Sequence, residues 1–219
     1  MPADSKIPAV RARVLATLAV FILASFLFSP SASARTKKAG HHHRIIYVAP
    51  PMYVPPARNF TTVVIDAGHG GVDNGGIPGQ KIPEKPYTLD TALRLYGILS
   101  KAGFRVVMTR TNDTFVSLPE RVRIANSQHS AVFVSIHFNA SPNWTGYGLE
   151  TYYYATNARP LADRIQARIW RGLPPTQNRG VKSRGYYVLR KTTIPAVLVE
   201  GGFLTNPGQP PIHQYCIRL

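Results

Sequence analysis

Two histidines and two glutamates stand where an α/β protein would present them for hydrolytic chemistry. Val63-Val64-Ile65 leads into Asp66-Ala67-Gly68-His69-Gly70-Gly71, Val132-Phe133-Val134-Ser135-Ile136 into His137-Phe138-Asn139, and Ala196-Val197-Leu198-Val199 into Glu200-Gly201-Gly202. In an open α/β sheet, ligands bind beyond the carboxyl ends of the strands, so polar residues just past an apolar run are the ones to inspect. Neutral imidazole and carboxylate are the ligands zinc takes in open hydrolytic sites. His69 and His137 therefore read as metal ligands. Glu84, in the loop ahead of a helical stretch beginning near Tyr87, can supply a third and leave a coordination position for water. Glu200 is then free to be the general base, acting on a water whose pKa the ion has lowered and returning the proton to a leaving nitrogen. Taken singly, a strand-end histidine is more often structural. What carries the reading is the conjunction, with glycines on both sides of His69 and after Glu200 that let backbone and substrate approach closely.

These residues need a sheet to bring them to one rim. From Thr61 onward, short apolar runs alternate with helical patterns of ten to fifteen residues, which predicts a single α/β domain with a mostly parallel, roughly six-stranded twisted sheet flanked by helices. The strand candidates are Thr61 to Asp66, Arg105 to Thr109, Ala131 to His137, Gly148 to Tyr154, Tyr186 to Arg190 and Ala196 to Glu200. Tyr87 to Ala102 places Leu89, Ala92, Leu93, Leu95, Tyr96 and Leu99 on one broad face and stops at Gly103, a helix C-terminal signal. Leu118 to Gln128, with Pro119 in its opening turn, and Leu161 to Trp170 read the same way.

The rest of the chain sets the surroundings. Lys6, Arg11 and Arg13 precede an apolar run from Val14 to Phe28, and Ala32-Ser33-Ala34 follows it. That layout predicts a signal peptide over residues 1–34, cleaved near Ala34, and export to the periplasm or the cell wall. Residues 35–59, with Lys37, Lys38, His41 to His43 and four prolines, read as a linker, and the histidine run as adventitious rather than a defined metal site. Residues 60–207 form the catalytic domain in this reading. The single cysteine, Cys216, excludes an internal disulfide, so the fold rests on packing and on metal. The 219 residues hold 26 Lys and Arg against 10 Asp and Glu, a formal net charge of +16. Outside the cytoplasm the polyanions such a surface attracts are lipid headgroups and anionic envelope polymers, which makes a nucleic-acid role unattractive.

The ordered motifs also resemble a known family. Val63 to Gly71, then Glu84-Lys85 followed by Leu89-Asp90, then Ser135 to Ala140, then Val199 to Pro207 are similar to the zinc-dependent N-acetylmuramoyl-L-alanine amidases of the Amidase_3 group. Thr109 to Asp113, Leu118 to Arg121 and Val188 to Arg190 extend the likeness over most of the domain. The resemblance implies a phosphorylase/hydrolase-like α/β fold, one zinc ion held by His69, Glu84 and His137, and Glu200 as the catalytic glutamate. It also implies peptidoglycan as the substrate, cut between N-acetylmuramic acid and L-alanine. Asp66 and Asn139 are expected as partners of the ligating histidines or as substrate-positioning groups, since such histidines usually donate their second nitrogen.

Two departures from the pattern matter. The connection Ala155 to Pro160 is short where regulated relatives carry an inhibitory helical insertion, which predicts a site open to substrate with no obligatory activator; a monomer is expected. Past Asn206-Pro207, residues 208–219 contain Pro210 and Pro211, which forbid the terminal helix that the family pattern calls for. An atypical tail and reduced stability are therefore expected. The competing readings are another zinc-dependent wall amide hydrolase, a deacetylase or peptidase, and a non-catalytic wall-binding protein using Trp144, Trp170 and Tyr152 to Tyr154. A phosphate-cradling loop at Gly68 to Gly76 is disfavoured, since no Lys-Ser/Thr pair follows it.

Overall fold

Val63, Val64 and Ile65 are apolar at successive positions, a pattern satisfied by a strand covered on both faces. In the computed structural model of this protein, which describes residues 60–172 and 177–208, they lie in β1 (Thr62–Ala67), buried throughout. The same logic gives β3 (Ala131–Asn139) and β6 (Ala196–Phe203). With β2 (Arg105–Met108), β4 (Leu149–Tyr153) and β5 (Asn178–Ser183) they build one six-stranded sheet in the order β2-β1-β3-β6-β4-β5. Every pairing is parallel except that of β4 with β6, which is antiparallel. The expected single α/β domain with a mostly parallel sheet is borne out. The expected signal peptide, the linker and all but the first residue of the tail lie outside the described residues.

Helices cover both faces. On one side α1 (Lys85–Lys101) and α3 (Arg159–Gly172) bring Ala92, Leu95, Leu99, Ile165 and Ile169 onto Val63, Ile65, Val132 and Val134. On the other, α2 (Leu118–Asn126) and α4 (Tyr187–Lys191) bring Ala125, Val188 and Leu189 onto Val64, Phe133 and Leu198. The caps follow local chemistry. Ser117 accepts from the Glu120 N–H at 3.3 Å and starts α2 ahead of Pro119. Gly103, at φ 81°, ends α1 by letting the Phe104 N–H reach the Leu99 carbonyl at 3.1 Å.

One element differs from the sequence reading. Tyr186 to Arg190, expected as a strand, is the short helix α4, and the sixth strand is β5, which the sequence reading passed over. Five residues are too few to reveal a helical period, so Tyr187-Val188-Leu189 looks like a strand. β5 is an edge strand, polar and half exposed, and shows no apolar alternation. Among the described residues no helix is long and apolar enough to cross a membrane.

Candidate metal centre

β1 ends at Ala67, and His69 then adopts φ 59°, a left-handed conformation costly for a residue with a Cβ. Two buried arginines hold the turn. Arg110 donates to the carbonyls of Ala67 and Gly68 at 2.9 and 2.8 Å, and Arg121 to those of Ala67 and His69, both at 2.7 Å. Asp66 lies beneath them, 1% exposed, accepting from Arg121 Nη1 at 2.6 Å, Thr109 Oγ1 at 2.8 Å and Ser135 Oγ at 2.6 Å. Expected as a partner of a ligating histidine or as a substrate-positioning group, Asp66 instead braces the backbone of His69 through Arg121, its carboxylate taken up by these three donors.

Glu84 occupies the N-cap position of α1 without spending its carboxylate on the cap. That carboxylate, buried, lies 3.0 Å from His69 Nε2 through Oε2 and 2.9 Å from His137 Nδ1 through Oε1, and it accepts the Phe138 N–H at 2.8 Å. The structure thus brings His69, Glu84 and His137 together, with one ligand atom from each lying within 4.8 Å of the others. The imidazoles meet edge to face, centroids 4.8 Å apart. Glycines make room for them: a Cβ on Gly75 would fall 2.6 Å from His69 Cδ2, and one on Gly68 would fall within 3.0 Å of three ring atoms of His137. The second nitrogen of His69 goes to Asp73 Oδ2 at 2.8 Å, a partner the sequence reading did not name, although it stands four residues on in the same glycine-rich loop.

The electrostatics suit a cation. Burial acts to raise the Glu84 pKa, but the hydrogen bonds and charges of His137 and His69 outweigh it and hold the carboxyl down at about 2. Burial acts to lower that of His69, yet Glu84 and Asp73 raise it above 6.5. Both shifts describe one cluster in which protons stand among anionic oxygens. A divalent ion replacing those protons would meet three donors of the type zinc takes.

β6 supplies the remaining group. Glu200 is the register partner of His137, one strand over. Its Oε2 is out of solvent and has no hydrogen-bond partner among the described residues, and burial, reinforced by the charges of Glu84 and Glu150, raises its pKa well above the ordinary glutamate value. An orphaned carboxylate oxygen beside a two-histidine, one-carboxylate cluster fits a site built for a cation and a reacting water. A cavity of about 240 Å³ opens over these groups, walled by Phe115, Val116, Leu118, Tyr186 and Val188. Asn139 is directed elsewhere: its amide donates to Glu150 Oε1 at 2.5 Å rather than to either histidine.

The profile of the family described as N-acetylmuramoyl-L-alanine amidase, Amidase_3, matches residues 63–210. The chain is 43% identical over 149 residues to N-acetylmuramoyl-L-alanine amidase LytC of Bacillus subtilis, spanning 66% of this chain and 30% of that protein. It is 40% identical over 172 residues to the probable cell wall amidase LytH of Staphylococcus aureus, spanning 77% of this chain and 57% of that one. The chain thus covers less than two thirds of the length of either. Among solved structures, an N-acetylmuramoyl-L-alanine amidase from Clostridium difficile 630 superposes with a TM-score of 0.67 at 38% identity, covering 74% of this chain and 91% of its own. The amidase AmiC2 of Nostoc punctiforme superposes with a TM-score of 0.66 at 36% identity, covering 73% and 90%.

Proposed function

This chain belongs to the N-acetylmuramoyl-L-alanine amidase family, and we propose that it hydrolyses the amide between N-acetylmuramic acid and L-alanine in peptidoglycan, using one zinc ion and Glu200. The observation that carries the reading is Glu84 bridging the two imidazoles at 2.9 and 3.0 Å with the unpartnered Oε2 of Glu200 beside them. His69, Glu84 and His137 would hold the ion. When bound, zinc supplies a Lewis acid that polarises the scissile carbonyl and stabilises developing negative charge.

The protein's own groups do the rest. The Phe138 N–H fixes one oxygen of Glu84, and Asp73 orients the His69 ring through its other nitrogen. Glu200 takes a proton from the attacking water at Oε2 and delivers it to the departing nitrogen of L-alanine. Its burial strengthens the hold on that proton between the two transfers. Val116, Leu118 and Val188 give one side of the cavity an apolar wall. Export and action on the cell envelope go with this reading, supported by the Ala32-Ser33-Ala34 pattern. So does independence from an activator: only the 3₁₀ turn Thr156–Ala158 separates Ala155 from α3, leaving no room for an inhibitory helix.

The test is metal content and product analysis of the purified chain beside Glu200→Gln. The expected result is one zinc per chain in both proteins, new L-alanine amino termini from intact sacculi, and a loss of turnover of about two to four orders of magnitude in the variant. Release of acetate, or a cut within the peptide, would replace the amidase reading with a deacetylase or a peptidase.

A further inference from the structure

Strand β5 carries two cations that simple alternation would separate. Arg179 and Lys182 are three positions apart, so a regular strand would send them to opposite faces of the sheet. Between the pairs Leu149↔Asn178 and Thr151↔Val181, however, β5 has one residue more than β4, and Gly180 sits at φ 79°. This bulge turns both side chains toward one carboxylate. Arg179 Nε reaches Glu150 Oε2 at 3.1 Å, and Lys182 Nζ bonds the same oxygen. Each cation remains about a third exposed, at 31% and 33%. The guanidinium of Arg179 also stands over the Phe203 ring, 5.0 Å from its centroid, and exposed Arg184 follows the strand.

The placement relative to the candidate site is fixed by register. His137 pairs with Glu200, Glu200 with Glu150 on β4, and Tyr152 with Lys182 on β5. One sheet face therefore presents, in order, a metal-ligand candidate, the base candidate, a buried carboxylate and a pair of cations. Glu150 neutralises only one of the two, so the row ends in a net positive shelf two strands beyond Glu200, roughly 10 Å away at the usual strand spacing. A peptide advances about 3.3 to 3.6 Å per residue. A carboxylate two to three residues from the scissile amide would reach this shelf.

We propose that Lys182 and Arg179 form a specificity subsite for a free carboxylate on the peptide side of the cleaved amide. The proposal rests on the amidase reading of the site. Glu150 is its positioning residue: 2% exposed and bonded also by Asn139, it aims the two cations rather than quenching both.

The experiment uses the zinc-loaded full chain and two small muropeptides differing only at the glutamyl carboxyls, N-acetylmuramoyl-L-alanyl-D-glutamate and its α,γ-diamide. The shelf predicts that the free acid is turned over with kcat/KM about tenfold or more above the amide, the difference lying in KM and shrinking as salt rises. Lys182→Gln should remove the preference while leaving turnover of the amide within about twofold, and Lys182→Arg should restore it. Equal kcat/KM for the two substrates in the wild-type protein overturns the proposal without any variant. Binding of both compounds to Glu200→Gln, measured by calorimetry, separates the two levels of inference. Cleavage of neither compound by the wild type defeats the amidase reading, while tighter binding of the acid would still uphold the shelf and equal binding would sink it.

Discussion

The ring of His137 lies directly against the backbone of Gly68, so close that a methyl group on Gly68 would come within 3.0 Å of its Cε1, Nε2 and Nδ1. The backbone cannot retreat, because Arg110 and Arg121 grip the carbonyls of Ala67, Gly68 and His69. In Gly68→Ala it is therefore the imidazole that must move, away from Glu84. The expected outcome is a folded protein whose zinc affinity is at least about tenfold weaker, measured by competition with a chromophoric chelator. Wild-type affinity in this variant would mean that His137 is not a ligand. The clash is one of space alone, since the φ of Gly68 is not in the left-handed region.

The second prediction concerns His69 and Asp73. Asp73 Oδ2 takes the His69 nitrogen that faces away from Glu84, at 2.8 Å, on a carboxylate whose side chain is 44% exposed. Asp73→Asn keeps the shape and removes the charge that orients the ring. Loss of such an outer partner typically costs ten- to a hundredfold in metal affinity or activity. We expect that loss without a change in thermal stability of the metal-free protein beyond about 1 kcal/mol, since the pair is partly solvated. The two readouts together separate an orienting role from a merely structural one.

How much of this was legible in the sequence depends on what each residue is used for. β1, β3 and β6 are covered on both faces, so they announce themselves as unbroken apolar runs, and the polar residues that end them are the ones the structure brings together: His69, His137 and Glu200. Glu84 was reachable because it stands in the loop just ahead of the helical period that begins near Tyr87. The bracing was not legible. Thr109, Arg121 and Ser135 lie between 43 and 69 residues from Asp66, and no local pattern encodes which carboxylate a distant arginine will find. β5 escaped for the opposite reason: only Val181 packs on the core and its neighbours in the strand are polar or glycine, so nothing in its composition distinguishes it from a loop.

The third prediction is a pH dependence. In the metal-free protein burial works against a charged His69, but Glu84 and Asp73 raise its pKa above the ordinary 6.5. A group whose folded pKa is raised contributes stability that is complete below its unfolded value and is lost as pH rises through the folded one. The metal-free chain should therefore lose stability as pH climbs from 6.5 through the raised value. Zinc must displace that proton, so its apparent affinity should rise about tenfold per pH unit below the raised value and flatten above it. Calorimetry at pH 6 in buffers of different ionisation enthalpy should count at least one proton released per ion bound; no release would place the proton elsewhere.

The fourth prediction tests the brace. Arg121 and Asp66 are 3% and 1% exposed and 2.6 Å apart, and Arg121 spends its remaining donors on the carbonyls of Val116, Ala67 and His69. Truncating one partner of a buried pair strands the other charge, at a cost of about 3 to 5 kcal/mol, which is a large share of a domain's stability. Arg121→Gln should lower the stability of the metal-free protein by about that amount in urea unfolding, and it also frees the carbonyl that holds His69 at φ 59°. Arg121→Lys keeps the charge but not the fork, so it should recover part of the stability and little of the zinc affinity. A lysine variant that binds zinc as the wild type does would show that Arg110 and the neighbouring glycines hold the left-handed turn at His69 without the Arg121 fork.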